Sequence, residues 1–429
     1  KHSELLRPQK CNGRNATMKK MERRKFLKLA GTAALAASLN SVLAGCGGGA
    51  GTPAPSDHQP TPSEPGSSSS ASSNPASSSS EASSGNLSTK IIWKISDNRD
   101  GTAVLTGYDA AGSQPTGELT LPTEWSGRTI VGLNGGLGGK ITKLIIPGTY
   151  KNVDYADGNY YGSNVLKELV LKNGVETVTG FKGSKKLSSI QFSSTLKEIG
   201  DVAFNGCESL SAVSLPAGLK KIGQYAFADT GLLSIVLPDA IEEYGQQAFA
   251  QCQNLTKAVL RSSSTGWRMF MGCVSLTDVE LPQNLTKLAD AMFLGCSALK
   301  KISLPQKLAR IGADEFRGCK SLMEITIQAT VTEIGSYAFE KTAISKAAIP
   351  YGVKELEWGT FGNCVNLRAV YIPSTLRTIQ TDCFSGCKNL TDVYYQASSQ
   401  EWASISVDNN NTLLQAAQMH YYASLTSMS

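Results

Sequence analysis

A phenylalanine recurs at nearly constant spacing from Phe181 to Phe384, and this repeat constrains the fold more than any other feature. Around each copy the same pattern returns, in the form L-x-x-V-x-L-P-x-x-L-x-x-I-G-x-x-A-F-x-x-C. The ten repeat phenylalanines lie 21 to 23 residues apart, at Phe181, Phe204, Phe227, Phe249, Phe270, Phe293, Phe316, Phe339, Phe361 and Phe384. Self-similarity at such a period is typical of repeat proteins, in which each unit is one coil.

The alternation inside one unit predicts the shape of that coil. Val213 and Leu215 have the period of two expected of a strand with one buried face, and the proline that follows cannot donate to a strand ladder. Leu219 and Ile222 then turn inward, and Gly223 permits the next bend. Stacked coils bury a continuous core, with contacts mainly between neighbours. The sequence therefore predicts a mainly β repeat solenoid with a parallel sheet, built from ~23-residue coils and capped at both ends.

One unit departs from the pattern. The stretch Leu260–Trp267 loses the proline and the Ile-Gly pair and is two residues short. We expect a local distortion of the solenoid at this unit.

The segment from Phe181 to Leu390 resembles the leucine-rich repeats of BspA-like bacterial surface proteins, also described as Treponema pallidum-type repeats. The resemblance implies a leucine-rich repeat solenoid, and relatives that include adhesins binding host matrix proteins or other bacteria. On this basis we expect an N-terminal cap with irregular first repeats over 90–165, the repeat solenoid over 166–392, and a C-terminal cap with a short helix and a last strand over 393–429.

The start of the chain resembles an export signal. Residues 1–17 precede the first methionine and are predicted to lie upstream of the true start, and residues 18–45 are predicted to be a signal peptide. Its apolar run of about 14 residues is shorter than the roughly 20 that a spanning helix needs. Arg23 and Arg24, followed by Phe-Leu-Lys, resemble the twin-arginine export motif. An ordinary secretory signal with a chance arginine pair is the alternative.

The signal ends on a sequence that resembles a bacterial lipobox, Leu43-Ala-Gly-Cys46. The resemblance implies that Cys46 carries a lipid and becomes the first residue of the mature protein. Acyl chains hold a protein to a bilayer without a spanning helix. The Ser- and Pro-rich stretch that follows, with Cys46 included as 46–89, is predicted to be a flexible linker. We therefore expect an exported protein, lipid-anchored on the extracellular side of the bacterial cell surface and touching the membrane only through its anchor.

The net positive charge of the chain comes from the residues that precede Cys46. Ten basic and two acidic residues precede Cys46, so the formal net charge of +6 becomes −2 without them. Without those residues the chain has no excess positive charge that would attract nucleic acid. The three histidines, His2, His58 and His420, lie near the ends or in the linker, and no nucleophile with a base stands out. We predict no catalytic residue, no metal site, no cofactor and no enzymatic activity.

A glycine run and two acidic stretches suggest ligand-binding loops, but none of them has the residue spacing that such a loop requires. The glycine run Gly135–Gly139 lacks the first glycine and the final Ser or Thr of a phosphate loop. The acidic stretches Asp97–Gly101 and Asp154–Asn159 lack the ligand spacing of a calcium loop. We interpret them as turns, which leaves a weak calcium site as the minor alternative.

Cysteines follow the repeat. Seven of them lie three residues after a repeat phenylalanine, at Cys207, Cys252, Cys273, Cys296, Cys319, Cys364 and Cys387. Equivalent positions of neighbouring coils lie about 4.8 Å apart with parallel side chains, whereas a disulfide needs converging Cβ atoms. This favours a ladder of buried thiols over disulfides. Cys383 is out of register and is the candidate for a reactive thiol.

The outward positions of the predicted sheet provide the candidate ligand contacts. One row, Lys257, Asp278, Lys301, Glu324 and Lys346, is expected to form a self-satisfied charge ladder. The next row ends in Tyr371 and Tyr394, which together with Tyr395 and Trp402 form an aromatic corner. The corner either packs under the C-terminal cap or exposes a contact patch for protein or glycan.

These features lead to two functional hypotheses. The first is a surface-anchored recognition protein, expected to be a monomer, that binds a protein or glycan ligand on host or bacterial surfaces. The second is a passive structural or envelope-spacing protein without a specific ligand.

Overall fold

The fold is a parallel β-solenoid of about 14 turns, each of about 23 residues, as the repeat predicts. The structure is a computed structural model that describes residues 91–138, 140–155 and 163–428. The predictions for Arg23, Arg24, Cys46 and the linker fall outside the described residues. None of the helices within the described ranges has the length and apolar character that crossing a bilayer requires.

Each regular coil contributes two strand positions, which stack into two sheet sides. The first sheet side carries the Val-x-Leu strands, and the second sheet side carries the strands that end in Ile-Gly. The strands of the first sheet side are β3 (Thr116–Thr120), β6 (Lys140–Ile146), β8 (Glu168–Leu171), β10 (Ser189–Gln191), β13 (Ser234–Leu237), β15 (Lys257–Leu260), β16 (Asp278–Glu280), β19 (Lys346–Ala348), β21 (Ala369–Ile372), β23 (Asp392–Tyr395) and β25 (Gln418–His420).

The second sheet side begins with the N-terminal hairpin and continues to the C-terminal cap. Its strands are β1 (Trp93–Asp97), β2 (Thr102–Tyr108), β4 (Glu124–Trp125), β5 (Arg128–Asn134), β7 (Asn152–Asp154), β9 (Thr177–Thr179), β11 (Glu198–Ile199), β12 (Lys221–Ile222), β14 (Glu243–Tyr244), β17 (Arg310–Ile311), β18 (Glu333–Ile334), β20 (Glu355–Leu356), β22 (Thr378–Ile379) and β24 (Ser406–Val407).

Neighbouring coils pair in parallel and in the register of the repeat. Ile235 lies beside Ala258, which lies beside Val279, so equivalent positions face the same core. Parallel pairing gives the orders β3-β6-β8-β10, β13-β15-β16 and β19-β21-β23-β25 on the first sheet side. On the second sheet side the orders are β1-β2-β5-β7-β9-β11-β12-β14, with β4 on β5, then β17-β18 and β20-β22-β24. The pairs β1–β2 and β4–β5 are antiparallel.

A column of stacked rings fills the third side of the coils. Successive repeat phenylalanines, Phe181 to Phe384, lie 5.3 to 5.9 Å apart between ring centroids and stack nearly parallel. Tyr155 extends the column by one coil, 4.7 Å from Phe181. Offset stacking adds about 0.5–1.5 kcal/mol per pair to the area each ring buries. The column therefore ties each coil to the next along the core.

Backbone hydrogen bonds on this phenylalanine side run opposite to those of the sheets. Gly223 N donates to Ile199 O of the preceding coil at 2.7 Å, whereas Tyr225 N donates to Gln246 O of the following coil at 3.0 Å. The reversal depends on left-handed backbone two residues before each phenylalanine from Phe204 to Phe384, with φ between +50° and +64°. Most of these positions hold residues other than glycine, so the sequence pattern does not mark them.

The irregular unit interrupts one side only. The nine-stranded sheet ends at β14, and the next two-stranded pair of that side is β17–β18. The distortion expected over Leu260–Trp267 is thus confirmed on the second sheet side. Phe249 and Phe270 still stack at 5.6 Å, so the core column passes through unchanged.

The C-terminal end is closed by two short helices and a last strand. Helix α1 (Ser399–Trp402) begins with a capping box, in which Ser398 Oγ accepts from Glu401 N and the Glu401 carboxylate accepts from Ser398 N. Helix α2 (Thr412–Ala416) precedes β25, and a 3₁₀ helix (Leu425–Met428) follows and contacts β21. Such closure covers the edge that the last coil would otherwise expose.

Candidate recognition surface

The repeated cysteines are buried and free, as predicted. Each thiol lies against the main chain of the preceding coil: Cys273 Sγ donates to Phe249 O at 3.2 Å, and Cys296 Sγ to Phe270 O at 3.3 Å. A buried thiol in this slot therefore satisfies a carbonyl lone pair while filling a small apolar space. These side chains belong to the core and offer nothing to a ligand.

Cys383 is not the reactive thiol that its position out of register predicts. It is fully buried, and its Sγ donates to Glu357 O at 2.9 Å. Loss of solvation raises the pKa of this thiol to about 12. Because the thiolate is the nucleophile, a thiol held in this state is inert.

Glu315 places a carboxyl group in the apolar core. It occupies the position just before Phe316, where most other coils carry alanine or methionine, and it is fully buried. Met292 N donates to its Oε2 at 3.4 Å, and its Oε1 has no hydrogen-bond partner. Burial raises the pKa of this carboxyl well above its ordinary value. The carboxyl group reaches no solvent, so its consequence is for stability.

The acidic stretch Asp97–Gly101 forms the turn between the antiparallel strands β1 and β2. Asp97 accepts from Arg128 Nε and Nη2 at 3.0 and 2.9 Å, and Asp100 accepts from Thr102 N and Oγ1. Asp154 lies at the end of β7, and most of the loop after it lies outside the described residues. Within the described ranges, no group of three or more His, Cys, Asp or Glu side chains could hold a metal ion.

The C-terminal aromatic corner is assembled, but much of it is covered. Tyr371 is 6% exposed and Tyr395 is 1% exposed, while Tyr394 and Trp402 are half-buried. Tyr394 stacks on His420 at 4.5 Å, and Trp402 meets Tyr395 edge-on at 5.2 Å. Packing under the cap thus accounts for Tyr371 and Tyr395. A ligand contact at the corner stays a prediction and concerns the accessible parts of Tyr394 and Trp402.

Charges on the first sheet side pair with one another. Lys257 lies 2.8 Å from Asp278 and 2.7 Å from Glu280, and Lys143 lies between Glu118 and Glu168. Exposed pairs of this kind contribute about 0.2–1 kcal/mol each. The part of the charge ladder around Lys257 is therefore self-satisfied, as expected.

The second sheet side contains a feature that the repeat does not predict. Pairing stops between β18 and β20, which belong to separate sheets. An open depression of about 410 Å³ lies there, and we call it the β18–β20 opening. Its lining residues are Thr332, Glu333, Ile334, Gly352, Lys354, Glu355 and Glu357.

A departure from the repeat lies at the opening. Most coils carry glycine after the buried Ile of this side, and a Cβ on Gly335 would lie 2.5 Å from Ala313 N of the preceding coil. The coil that follows carries Glu357 instead. Its carboxylate accepts from Ser336 N at 3.0 Å and from Ser336 Oγ at 2.6 Å. A side chain thus makes the contact between coils where backbone strand pairing stops.

Exposed aromatic side chains adjoin the opening in the sequence. Tyr351 precedes the lining residue Gly352 and is 63% exposed, and Trp358 follows Glu357 and is 54% exposed. In the neighbouring coil the Arg317 guanidinium lies 4.9 Å from the ring centroid of Tyr337. Trp, Tyr and Arg are the residue types that most often dominate binding energy at interfaces. The sequence signal for this site is the replacement of glycine by Glu357 directly before a tryptophan.

The repeat region matches a known family of protein repeats. The family model described as "BspA type Leucine rich repeat region" matches in six copies, over residues 139–256, 178–300 and 289–413. Together these stretches cover well over half of the chain. No curated protein matches.

The solved structures that are similar to this chain include three bacterial proteins. The pneumococcal vaccine antigen PcpA is 17% identical, with 78% of this chain and 99% of that chain covered and a TM-score of 0.50. A leucine-rich repeat protein of T. pallidum is 24% identical over 50% of this chain and 90% of its own, with a TM-score of 0.37. A leucine-rich cell surface protein of Faecalibacterium prausnitzii is 19% identical over 76% and 98%, with a TM-score of 0.40. At 17% identity, the likeness to PcpA concerns the fold alone.

Proposed function

This chain belongs to the BspA-type leucine-rich repeat family, and from that premise we propose that it is a surface-anchored recognition protein that binds a protein or glycan ligand on host or bacterial surfaces. The observation that carries the proposal is the coil after Phe339, which exposes Tyr351 and Trp358, the sequence neighbours of residues that line the β18–β20 opening. Trp and Tyr are among the residue types that most often contribute binding energy at interfaces.

No part of this proposal involves catalysis. The repeated positions are apolar, glycine or proline, and the buried carboxyl of Glu315 and the buried thiols have no access to solvent. The self-paired charges of the first sheet side suit either a binding protein or a passive spacer. The exposed Tyr351 and Trp358 favour binding, because Trp and Tyr are enriched among the residues that dominate interface energies.

A binding screen tests the proposed function. The full chain is presented to immobilised matrix proteins, mucins, glycans and bacterial surfaces, and saturable binding to at least one of them is expected. Trp358→Ala should weaken that binding by about tenfold, as truncation of a central aromatic contact does. Tyr394→Ala and Trp402→Ala serve as the comparison, because they remove the accessible parts of the C-terminal corner. Binding lost only in those two variants would place the ligand at the corner, and no saturable binding anywhere would favour the passive spacer.

The anchor is a separate part of the proposal and rests on the sequence before the described residues. Cys46→Ala should move the protein from the membrane fraction to the soluble fraction of the producing cell and abolish labelling by a fatty acid analogue. Replacing Arg23 and Arg24 with lysine should stop export if the twin-arginine route is used, whereas an ordinary secretory signal tolerates the change. Membrane retention of the Cys46→Ala protein would contradict a lipid anchor.

A further inference from the structure

Arg268 differs from the other half-buried arginines of the described residues, because it has no carboxylate partner. Arg128, Arg310 and Arg317 each lie within 2.9 Å of an aspartate or glutamate oxygen. In the part of the chain that the structure describes, the Arg268 side chain makes no ion pair or hydrogen bond, and its Nε is buried without a partner. A donor on a charged group that has lost water is costly to leave unsatisfied.

The carboxylates of the two following coils are already engaged. Asp290 lies 2.9 Å from Arg310 Nη2 and also accepts from a backbone amide at 3.1 Å. Asp314, whose charge acts on Arg268, lies 2.9 Å from Arg317 Nη1. Burial lowers the pKa of the Arg268 guanidinium, because loss of water disfavours the charged form. An arginine nevertheless stays charged at neutral pH, so Arg268 is a cation to which the described residues supply no counter-ion in contact.

The Arg268 guanidinium lies against a partly exposed tryptophan ring. Its central carbon is 4.3 Å from the ring centroid of Trp267, which is 37% exposed. In the preceding coil Gln247 N donates to Trp267 O at 2.9 Å, so Gln247 is the neighbour of this pair across the coils. The Gln247 amide oxygen accepts from Tyr225 Oη at 2.7 Å, and no acceptor among the described residues uses its amide NH₂ group. The three side chains thus combine a cation, an amide donor and part of a ring face.

The pair follows from the unit that departs from the repeat. Leu260–Trp267 lacks the proline and the Ile-Gly pair, and the second sheet side has no strand between β14 and β17 in this continuously described stretch. Hydroxyl groups make contacts between coils instead: Ser262 Oγ donates to Ile241 O at 2.6 Å, and Ser264 Oγ donates to Glu242 O at 2.9 Å. A departure from the repeat that is supported by contacts of its own is typical of a functional site.

From this unpaired cation on a partly exposed ring we propose that Arg268 binds the carboxylate of an acidic sugar, a sialic or uronic acid, in a surface glycan. The inference deepens the proposed function and rests on it, since it names the class of ligand. The guanidinium donates parallel hydrogen bonds to the carboxylate, the Gln247 amide donates to a sugar hydroxyl, and Trp267 packs on the C–H face of the sugar ring. An aspartate or glutamate side chain fits less well, because it offers neither a hydroxyl nor a ring.

Paired oligosaccharides test the proposal. The probes are sialyllactose and a hyaluronan tetrasaccharide, and lactose is the neutral counterpart; binding to the full chain is measured by saturation-transfer-difference NMR. At least one acidic probe should bind, and lactose should not. Binding of sialyllactose alone assigns a sialic acid, and binding of the tetrasaccharide alone assigns a uronic acid. Failure of both acidic probes, or equal binding of lactose, would overturn the proposal.

Variants separate a built site from general attraction. Arg268→Gln should weaken binding of the acidic probe about tenfold, because charge-assisted hydrogen bonds are lost. Arg268→Lys keeps the charge without the parallel donors and should also weaken it, by about threefold or more. Trp267→Ala should weaken it about threefold. The matched control is Arg261→Gln, which removes an exposed arginine of the same unit and should change the affinity less than about twofold; equal losses in Arg261→Gln and Arg268→Gln would contradict the site.

Thermal unfolding separates binding from a structural role. Because Arg268 has no hydrogen-bond or ion-pair partner among the described residues, Arg268→Gln should change the melting temperature of the unliganded chain little. The rise in melting temperature that the acidic probe produces in the native chain should disappear in the variant. A lower melting temperature with unchanged binding of the probe would assign the side chain to the fold and refute the inference.

An acidic peptide and the surface screen distinguish the remaining alternatives. If triglutamate amide binds through Arg268 while both acidic sugars fail, the ligand is an acidic protein segment and the glycan inference is overturned. If neither acidic sugar binds but a surface in the screen does, the inference fails and recognition stands. If no surface in the screen binds, the proposed function fails, whatever the oligosaccharides do.

Discussion

Replacing Glu315 with methionine should raise the free energy of unfolding by about 2–4 kcal/mol at pH 7. The carboxyl is fully buried with one oxygen unpartnered, in a position that Met269 and Met292 occupy in neighbouring coils. Methionine therefore fits the same space without a polar group to desolvate. The measurement is chemical unfolding followed by circular dichroism.

The gain should depend on pH in a defined direction. Burial raises the pKa of the Glu315 carboxyl well above its ordinary value of 4.5. Below pH 4.5 the group holds its proton in both the folded and the unfolded chain, so the penalty is small. Above that pH the unfolded chain releases the proton first, and the penalty grows by about 1.4 kcal/mol per pH unit until the pKa of the folded state is passed. The advantage of Glu315→Met should therefore be smaller at pH 4 than at pH 7.

An exposed glutamate provides the control for this prediction. Glu324 lies on the first sheet side and is solvent-exposed, so Glu324→Met should change stability by less than about 0.5 kcal/mol at either pH. A Glu315→Met protein that is no more stable than the native chain, or whose gain is the same at pH 4 and pH 7, would contradict the assignment of a buried neutral carboxyl.

Gly223→Ala should lower the free energy of unfolding by about 3 kcal/mol. A Cβ on Gly223 would lie 2.5 Å from both Asp201 N and Gly200 C of the preceding coil. These are backbone atoms, so the clash cannot be relieved by a rotamer change. The coils must move apart, which weakens the hydrogen bond from Gly223 N to Ile199 O.

The same coil offers a matched control in Gly218. A Cβ there would meet no atom within 4 Å, so Gly218→Ala should be neutral or stabilising by up to about 1 kcal/mol, through the entropy of the unfolded chain. Thermal unfolding of the two variants compares one added methyl group at two positions five residues apart. Equal stability of the two proteins would show that close approach of the coils is not what requires glycine at position 223.

The repeat predicts most of the fold because each of its positions reports a local requirement. The alternation of Val213 and Leu215, the glycine at 223 and the cysteine three residues after the phenylalanine all describe contacts between one coil and the next. Such contacts recur along the whole solenoid, so the pattern reveals them. The in-register pairing of Ile235, Ala258 and Val279 follows from the same constraint.

The sequence pattern does not predict structural features that differ from one coil to the next. Tyr155 continues the ring column although it is not a phenylalanine, and left-handed backbone at Tyr225 or Asp314 has no signature in residue type. The burial of Tyr371 depends on the end of the chain, since the 3₁₀ helix Leu425–Met428 returns to contact β21. The opening at Glu357 depends on how two coils separate, which requires the geometry of both.

The ring column has a consequence for how such a molecule changes its length. Each ring contacts the rings before and after it at nearly the same spacing, so duplicating or deleting one 23-residue segment, such as that between Phe270 and Phe293, rebuilds every junction with an equivalent one. An in-frame recombination between repeats of the gene therefore yields a longer or shorter solenoid with an intact core. Variation of this kind shifts the distance between the N-terminal end of the solenoid and the opening at Glu357 in steps of one strand spacing, about 4.8 Å.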